Sequence, residues 1–136
     1  MDSIEHAFQA SDPELQAMKR KGIFLVATDI PDNGGSPESK DRLQRAMKIG
    51  VKIAMGADLW FAPGAGTTYG QAALRDLQAL RDEGMPNIDV IRCATINGAE
   101  LMGWSNAVGE IAQGKFADMI ALSADPLEDV TSLERV

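Results

Sequence analysis

Apolar and polar positions along this chain change period in a regular order. Residues 3 to 7, "SIEHA", form a short strand-like piece ending beside a histidine. In "FQASDPELQAMKRKG", Ser11 or Asp12 can cap a helix, Pro13 fits its first turn, and Leu15 and Met18 lie three apart. Lys19, Arg20 and Lys21 precede Gly22, where a helix end favours cations. "GIFLVATD" follows as a continuous apolar run of strand length, the pattern of a strand covered on both faces, and "IPDNGGSP" breaks it. Ser36, as N-cap, and Pro37 open a second helical stretch through Leu43, Ala46, Met47 and Ile49 to Gly50. In "GVKIAMGADLW" the period returns to two, with Val51, Ile53 and Met55 alternating with Lys52 and Ala54, until Gly56 stops the run before a lone acid, Asp58.

After a Gly-rich loop from Gly56 to Thr68, Leu74, Leu77 and Leu80 mark a third helix closing at Gly84. Strands alternating with single helices at this spacing predict βαβ crossovers and a parallel sheet, open or closed into a barrel. Asn87 to Gly103 is helical and predicted to break near Asn97, where "NGAE" offers a variant capping box. The tail changes character: "GEIAQGKFADMIAL" predicts two short strands about a Gly-Lys turn, ahead of the acidic "DPLEDVTSLERV".

In parallel α/β folds functional groups collect at the carboxyl ends of strands, and His6 and Asp58 both sit there. Imidazole and carboxylate are ligand types for a zinc-like divalent ion, which lowers the pKa of a bound water to about 7. An Asp beside that water can act as general base. The same residues also admit plainer roles, His6 as a capping or core residue and Asp58 as the acid of an Asx turn. "GAGTTYG" has neither the spacing nor the Lys of a phosphate-binding loop and reads as a flexible βα loop, with Trp60 and Tyr69 as candidate pocket residues.

Composition narrows the field. With 136 residues and 45% hydrophobic content, the chain can pack a core as one domain or as part of a larger one. A net charge of -7 argues against nucleic acid, whose phosphates demand clustered cations. Cys93 is the single cysteine, so neither an internal disulfide nor a Cys-based zinc site is expected, and "VIRCAT" favours a buried thiol. The sequence shows no export signal and no apolar run of about 18 residues, so no membrane association is expected; the compartment is left open, with the cytoplasm only as default, because a signal would lie upstream of this chain.

Taken in order and spacing, "SIEHA", "GIFLVATD", "GVKIAMGAD" with its Gly-rich loop, "IRCATINGAELMGW" and "VGEIAQGKFADMIALSADPLEDV" resemble the C-terminal part of a metal-dependent amidohydrolase. The resemblance is to the imidazolonepropionase-like branch that includes Xaa-Pro dipeptidases, and its most specific element is the tail, "G-x-I-x-x-G-K-x-A-D" followed by "DPLED".

This resemblance implies an α/β fold: residues 1-104 as the last three strands of a partial (β/α)8 TIM-like barrel with their helices, then residues 105-136 as a hairpin segment of a small β-sandwich domain and the tail. His6 matches the sixth-strand histidine that binds one metal of a binuclear centre, with zinc the first choice of ion. Asp58 matches the eighth-strand aspartate that binds the other metal and shuttles the proton. The implied function is hydrolysis of an amide bond by metal-activated hydroxide, on a small molecule or a dipeptide ending in proline. Two departures stand out: the usual "G-T-D" reads "GAD", and Tyr69-Gly70 replaces a common "HG". The family pattern also requires an HxH pair, a carboxylated lysine and a further histidine, yet His6 is the only histidine. The expectation is therefore a hydrolase fragment, inactive and metal-poor alone, that self-associates or pairs with the missing N-terminal part. The alternative is a non-catalytic module that self-associates or complements a barrel.

Overall fold

The computed structural model describes residues 1-29, 36-59 and 66-135. Its core is a parallel three-stranded sheet of β1 (Ser3–Glu5), β2 (Phe24–Ala27) and β3 (Ile53–Met55), in spatial order β1-β2-β3. The register pairs Ile4 with Leu25 and Val26 with Ala54. Helices α1 (Asp12–Lys21) and α2 (Pro37–Ile49) make the crossovers between successive strands, the βαβ order predicted by the periodicity.

Local chemistry sets the helix ends. α1 begins at Ser11, which forms a capping box with Glu14, and α2 at Ser36, whose side chain accepts from the Ser39 amide. Both helices end on a glycine in the left-handed region, Gly22 at φ 66° and Gly50 at φ 85°, a conformation that costs an ordinary L residue. α3 (Tyr69–Asp82) starts from a second capping box, Thr68 with Gln71.

All four β2 residues are buried, consistent with a strand covered on both faces. Leu25 packs with Leu15, Leu43 and Leu80, all fully buried, each contributing roughly 1.5–3 kcal/mol through burial. Cys93 joins this core, and burial pushes its thiol up to about 12, so it serves as a small apolar residue. The terminal 3₁₀ turn, Val130–Glu134, returns to the core through buried Val130, and Gln78 on α3 donates to Glu134 at 2.7 Å.

Two expectations fail. The helical region does break in two, α4 (Asn87–Ala94) and α5 (Ile96–Leu101), but the break falls at Thr95 and Asn97 does not cap. Its side-chain amide instead donates to the Ile53 carbonyl at 2.7 Å, satisfying a backbone group on β3. Nor does "GEIAQGKFADMIAL" form strands among the described residues. The turn exists, with Gly114 at φ 87°, but the flanking stretches do not pair with each other. Ile111, Phe116, Met119 and Ile120 stay exposed, because an isolated two-stranded hairpin is marginal without a further strand or face to pack on.

Candidate active site

The site is built where β1 and β3 end. The His6 amide donates to the Val26 carbonyl at 3.1 Å, extending the β1–β2 pairing one residue past the strand. The chain then turns sharply. The Ala7 amide donates to the Glu5 carbonyl at 2.7 Å, closing a three-residue turn about His6. His6 takes φ 62° and Ala7 φ 49°, and at the end of β3 Asp58 takes φ 44°. These three are the only non-glycine residues in the left-handed region among those described, and two of them are the candidate ligands. Such strain persists where surrounding structure enforces it and concentrates at functional sites.

The turns bring the two side chains together. His6 Nε2 lies 3.8 Å from Asp58 Oδ2, and the side chains are 45% and 44% exposed. That separation exceeds a hydrogen bond, so the pair faces across a gap open to solvent. The other ring nitrogen is engaged: His6 Nδ1 lies 2.6 Å from Thr28 Oγ1. The Phe8 ring stands 5.7 Å from the imidazole.

Beside this open pair lies a closed one. Asp29, just past β2, meets Arg42 of α2 at 2.5 Å, with both side chains fully buried. Burial pushes the Asp29 carboxyl above its usual range, while the Arg42 guanidinium pulls the other way. The guanidinium carbon also sits 5.3 Å from the centre of the Phe8 ring, within cation–π range. Ser39, one helical turn before Arg42, donates to Glu83 at 2.7 Å, and burial raises the Glu83 carboxyl as well. Asp29 Oδ2, Glu83 Oε2, and Arg42 Nε and Nη1 are buried without hydrogen-bond partners. Burial makes both carboxyls resist ionisation despite the guanidinium, and for Glu83 the charge of neighbouring Asp29 adds to it.

This buried network was missed in the sequence, although a signal exists. Ser39 and Arg42 stand on the same helical stripe as Leu43 and Ala46, so polar groups occupy inward positions. Of the candidate pocket residues, Tyr69 opens α3 with 55% exposure and makes no hydrogen bond or ion pair with His6 or Asp58 among the described residues. Trp60 lies outside the described residues.

His6 and Asp58 are donor types that divalent zinc accepts, and the partner on Nδ1 suits an imidazole that ligates through Nε2. Among the described residues no group of three or more His, Cys, Asp or Glu could hold a metal ion. The residues therefore fit part of a coordination shell.

The profile of the amidohydrolase family matches residues 2–136. This chain belongs to the amidohydrolase family. The family is generally metal-dependent. The chain is 34% identical to ochratoxinase of Aspergillus niger over 94% of its own length, and 30% identical to imidazolonepropionase of Symbiobacterium thermophilum over 89%. It spans 29% and 28% of those relatives. Among solved structures, a Xaa-Pro dipeptidase with bound methionine in its active site superposes with a TM-score of 0.83 and 27% identity, covering 98% of this chain and 37% of that one. These amidohydrolase neighbours imply a TIM-barrel-type fold, consistent with the parallel α/β sheet.

Proposed function

We propose that this chain is the closing part of a metal-dependent hydrolase acting on amide bonds, with β1, β2 and β3 as the last three staves of its barrel. The observation that carries this reading is the meeting of His6 Nε2 and Asp58 Oδ2, 3.8 Å apart at the carboxyl ends of parallel strands. Similarity to proteins named Xaa-Pro dipeptidase, ochratoxinase and imidazolonepropionase supports hydrolysis of an amide-like bond and makes a dipeptide ending in proline the leading substrate. Exposed Ile111, Phe116, Met119 and Ile120 support assigning residues 105-136 to a small β-sandwich domain completed by other segments. The same apolar stretch favours the alternative of a self-associating or barrel-complementing module, distinguished by whether the chain elutes with a partner and bound metal.

In the proposed site His6 and Asp58 are two of the protein donors for divalent ions, zinc being the first choice, in a binuclear centre. Such an ion, when bound, polarises the substrate carbonyl and makes water more acidic. Asp58 Oδ2 then takes the proton of the attacking water and hands it to the departing nitrogen, acting as base and then as acid. Its 44% exposure leaves it accessible to both. Trp60 and Tyr69 are proposed to border the substrate.

A catalytic zinc ordinarily needs three protein ligands, so this chain, whose described residues offer two, should not turn over substrate alone. In a polypeptide carrying the rest of the barrel, Asp58→Asn should lower kcat by about 10²–10⁴-fold while the circular dichroism spectrum is kept. Turnover retained by Asp58→Asn would place proton transfer elsewhere. Metal-dependent dipeptide hydrolysis by the isolated chain would defeat the reading of an incomplete site.

A further inference from the structure

His6 could present either ring nitrogen to the gap it shares with Asp58, and only a nitrogen without a proton can donate a lone pair there. What chooses between them lies on the neighbouring strand. Thr28 is buried, one residue past β2, and its Oγ1 is 2.6 Å from His6 Nδ1. If that hydroxyl donated to Nδ1, Nε2 would carry the proton and face the Asp58 carboxylate, an acceptor it should approach to about 2.7–3.2 Å. The observed 3.8 Å lies outside that range. The opposite polarity requires no such contact: Nδ1–H donates to Oγ1, and Nε2 keeps its lone pair on the side of the gap.

Thr28 is itself held in place. A Cβ at Gly56 would lie 3.2 Å from the Thr28 methyl and 2.6 Å from Val26 Cγ1, so the bare backbone at the end of β3 is what allows Thr28 to seat there. A β-branched side chain has few χ1 options, and with its methyl against Gly56 the hydroxyl is directed towards His6. On its other side, Asp29 is locked to Arg42 of α2. The closed pair thus anchors the backbone that carries the hydroxyl.

We infer that Thr28 is a positioning residue, which accepts the Nδ1 proton of His6 and so fixes the tautomer whose Nε2 lone pair faces Asp58. The consequence for metal affinity rests on the proposed ligand role of His6. The tautomer itself does not.

Because His6 is the only histidine, long-range ¹H–¹⁵N correlation of the imidazole reports on this one residue without assignment ambiguity. At about pH 8, above the usual imidazole range, wild type and Thr28→Ser should show a protonated Nδ1, and Thr28→Val should move towards protonated Nε2. Zinc titration followed on the same ¹⁵N signals should show affinity falling roughly 10–100-fold in Thr28→Val and recovering in Thr28→Ser. Folding of each variant is checked by amide spectra. A protonated Nε2 in wild type, or a tautomer unchanged by Thr28→Val, overturns the inference. A tautomer that moves while zinc affinity stays constant upholds the role of Thr28 and overturns instead the ligand role of His6.

Discussion

Asp29 and Asp58 occupy similar places, just beyond the carboxyl ends of the adjacent parallel strands β2 and β3, yet they live in opposite environments. Asp29 is 3% exposed and bound to a buried guanidinium, whereas the Asp58 side chain is 44% exposed and faces an imidazole it does not reach. The difference comes from what the packed helix offers. α2 turns Arg42 inward over Asp29, and a carboxylate held this way contributes architecture. Asp58 has no such clamp among the described residues, sits on strained backbone, and keeps its side chain open to solvent. Position on the fold therefore does not by itself decide how a strand-end acid is satisfied; the side chains packed around it do.

The largest effect should come from breaking the closed pair. Arg42→Met leaves Asp29 buried without its counterion and should cost about 3–5 kcal/mol, measured by urea denaturation near neutral pH. Removing both charges, in Asp29→Leu with Arg42→Met, should restore most of that loss, because the cost lies in the orphaned charge more than in the missing attraction. A double variant no more stable than the single one would mean that Arg42 contributes packing and not charge.

The contrast also explains what could be read from the sequence. Element order, the Ser36–Pro37 start and the glycine ends at Gly22 and Gly50 were legible, because period and capping are properties of the local backbone. The meeting of His6 and Asp58 followed from the rule that parallel strand ends share one rim, and needed no knowledge of side-chain partners. The closed network was not legible to the same degree. Ser39 and Glu83 are separated by 44 positions, and only packing of α2 against the end of α3 joins them. Asn97 misled for a related reason: a local capping motif lost to a distant carbonyl on β3. The tail misled because a strand pattern states a preference, while a ladder also requires a partner.

A smaller effect tests the strain at the open acid. Asp58→Gly and Asp58→Ala both delete the carboxylate, but only glycine relaxes at φ 44°. Asp58→Gly should therefore be the more stable of the two by about 1 kcal/mol, the usual cost of a side chain in this region, read as a difference in denaturation free energy. Equal stabilities would show that the turn gives way without cost and that Asp58 is not held in a strained conformation.

The smallest effect is one of pH, and it sets the closed network against the exposed acids. Glu83 is 5% exposed, and burial, more than any other influence, pushes its carboxyl above the usual 4.5, with the Ser39 hydrogen bond opposing. A carboxyl whose pKa is raised by folding binds its proton more tightly in the folded chain. Its stabilising contribution is fully present below 4.5 and is lost as pH climbs through the raised value. Glu83→Gln removes this titration but keeps an acceptor for the Ser39 hydroxyl, so the variant should lose less stability than wild type as pH rises from the acid range to neutrality. Glu14, Glu38 and Asp129 act with the opposite sign, since hydrogen bonds lower their pKa values and their contribution disappears on acidification. Both proteins share those residues, so they cancel in the difference between the two stability–pH curves. If the curves run parallel across that range, the folded chain gains no proton at Glu83, and the closed network tolerates a second ionised carboxylate beside Asp29.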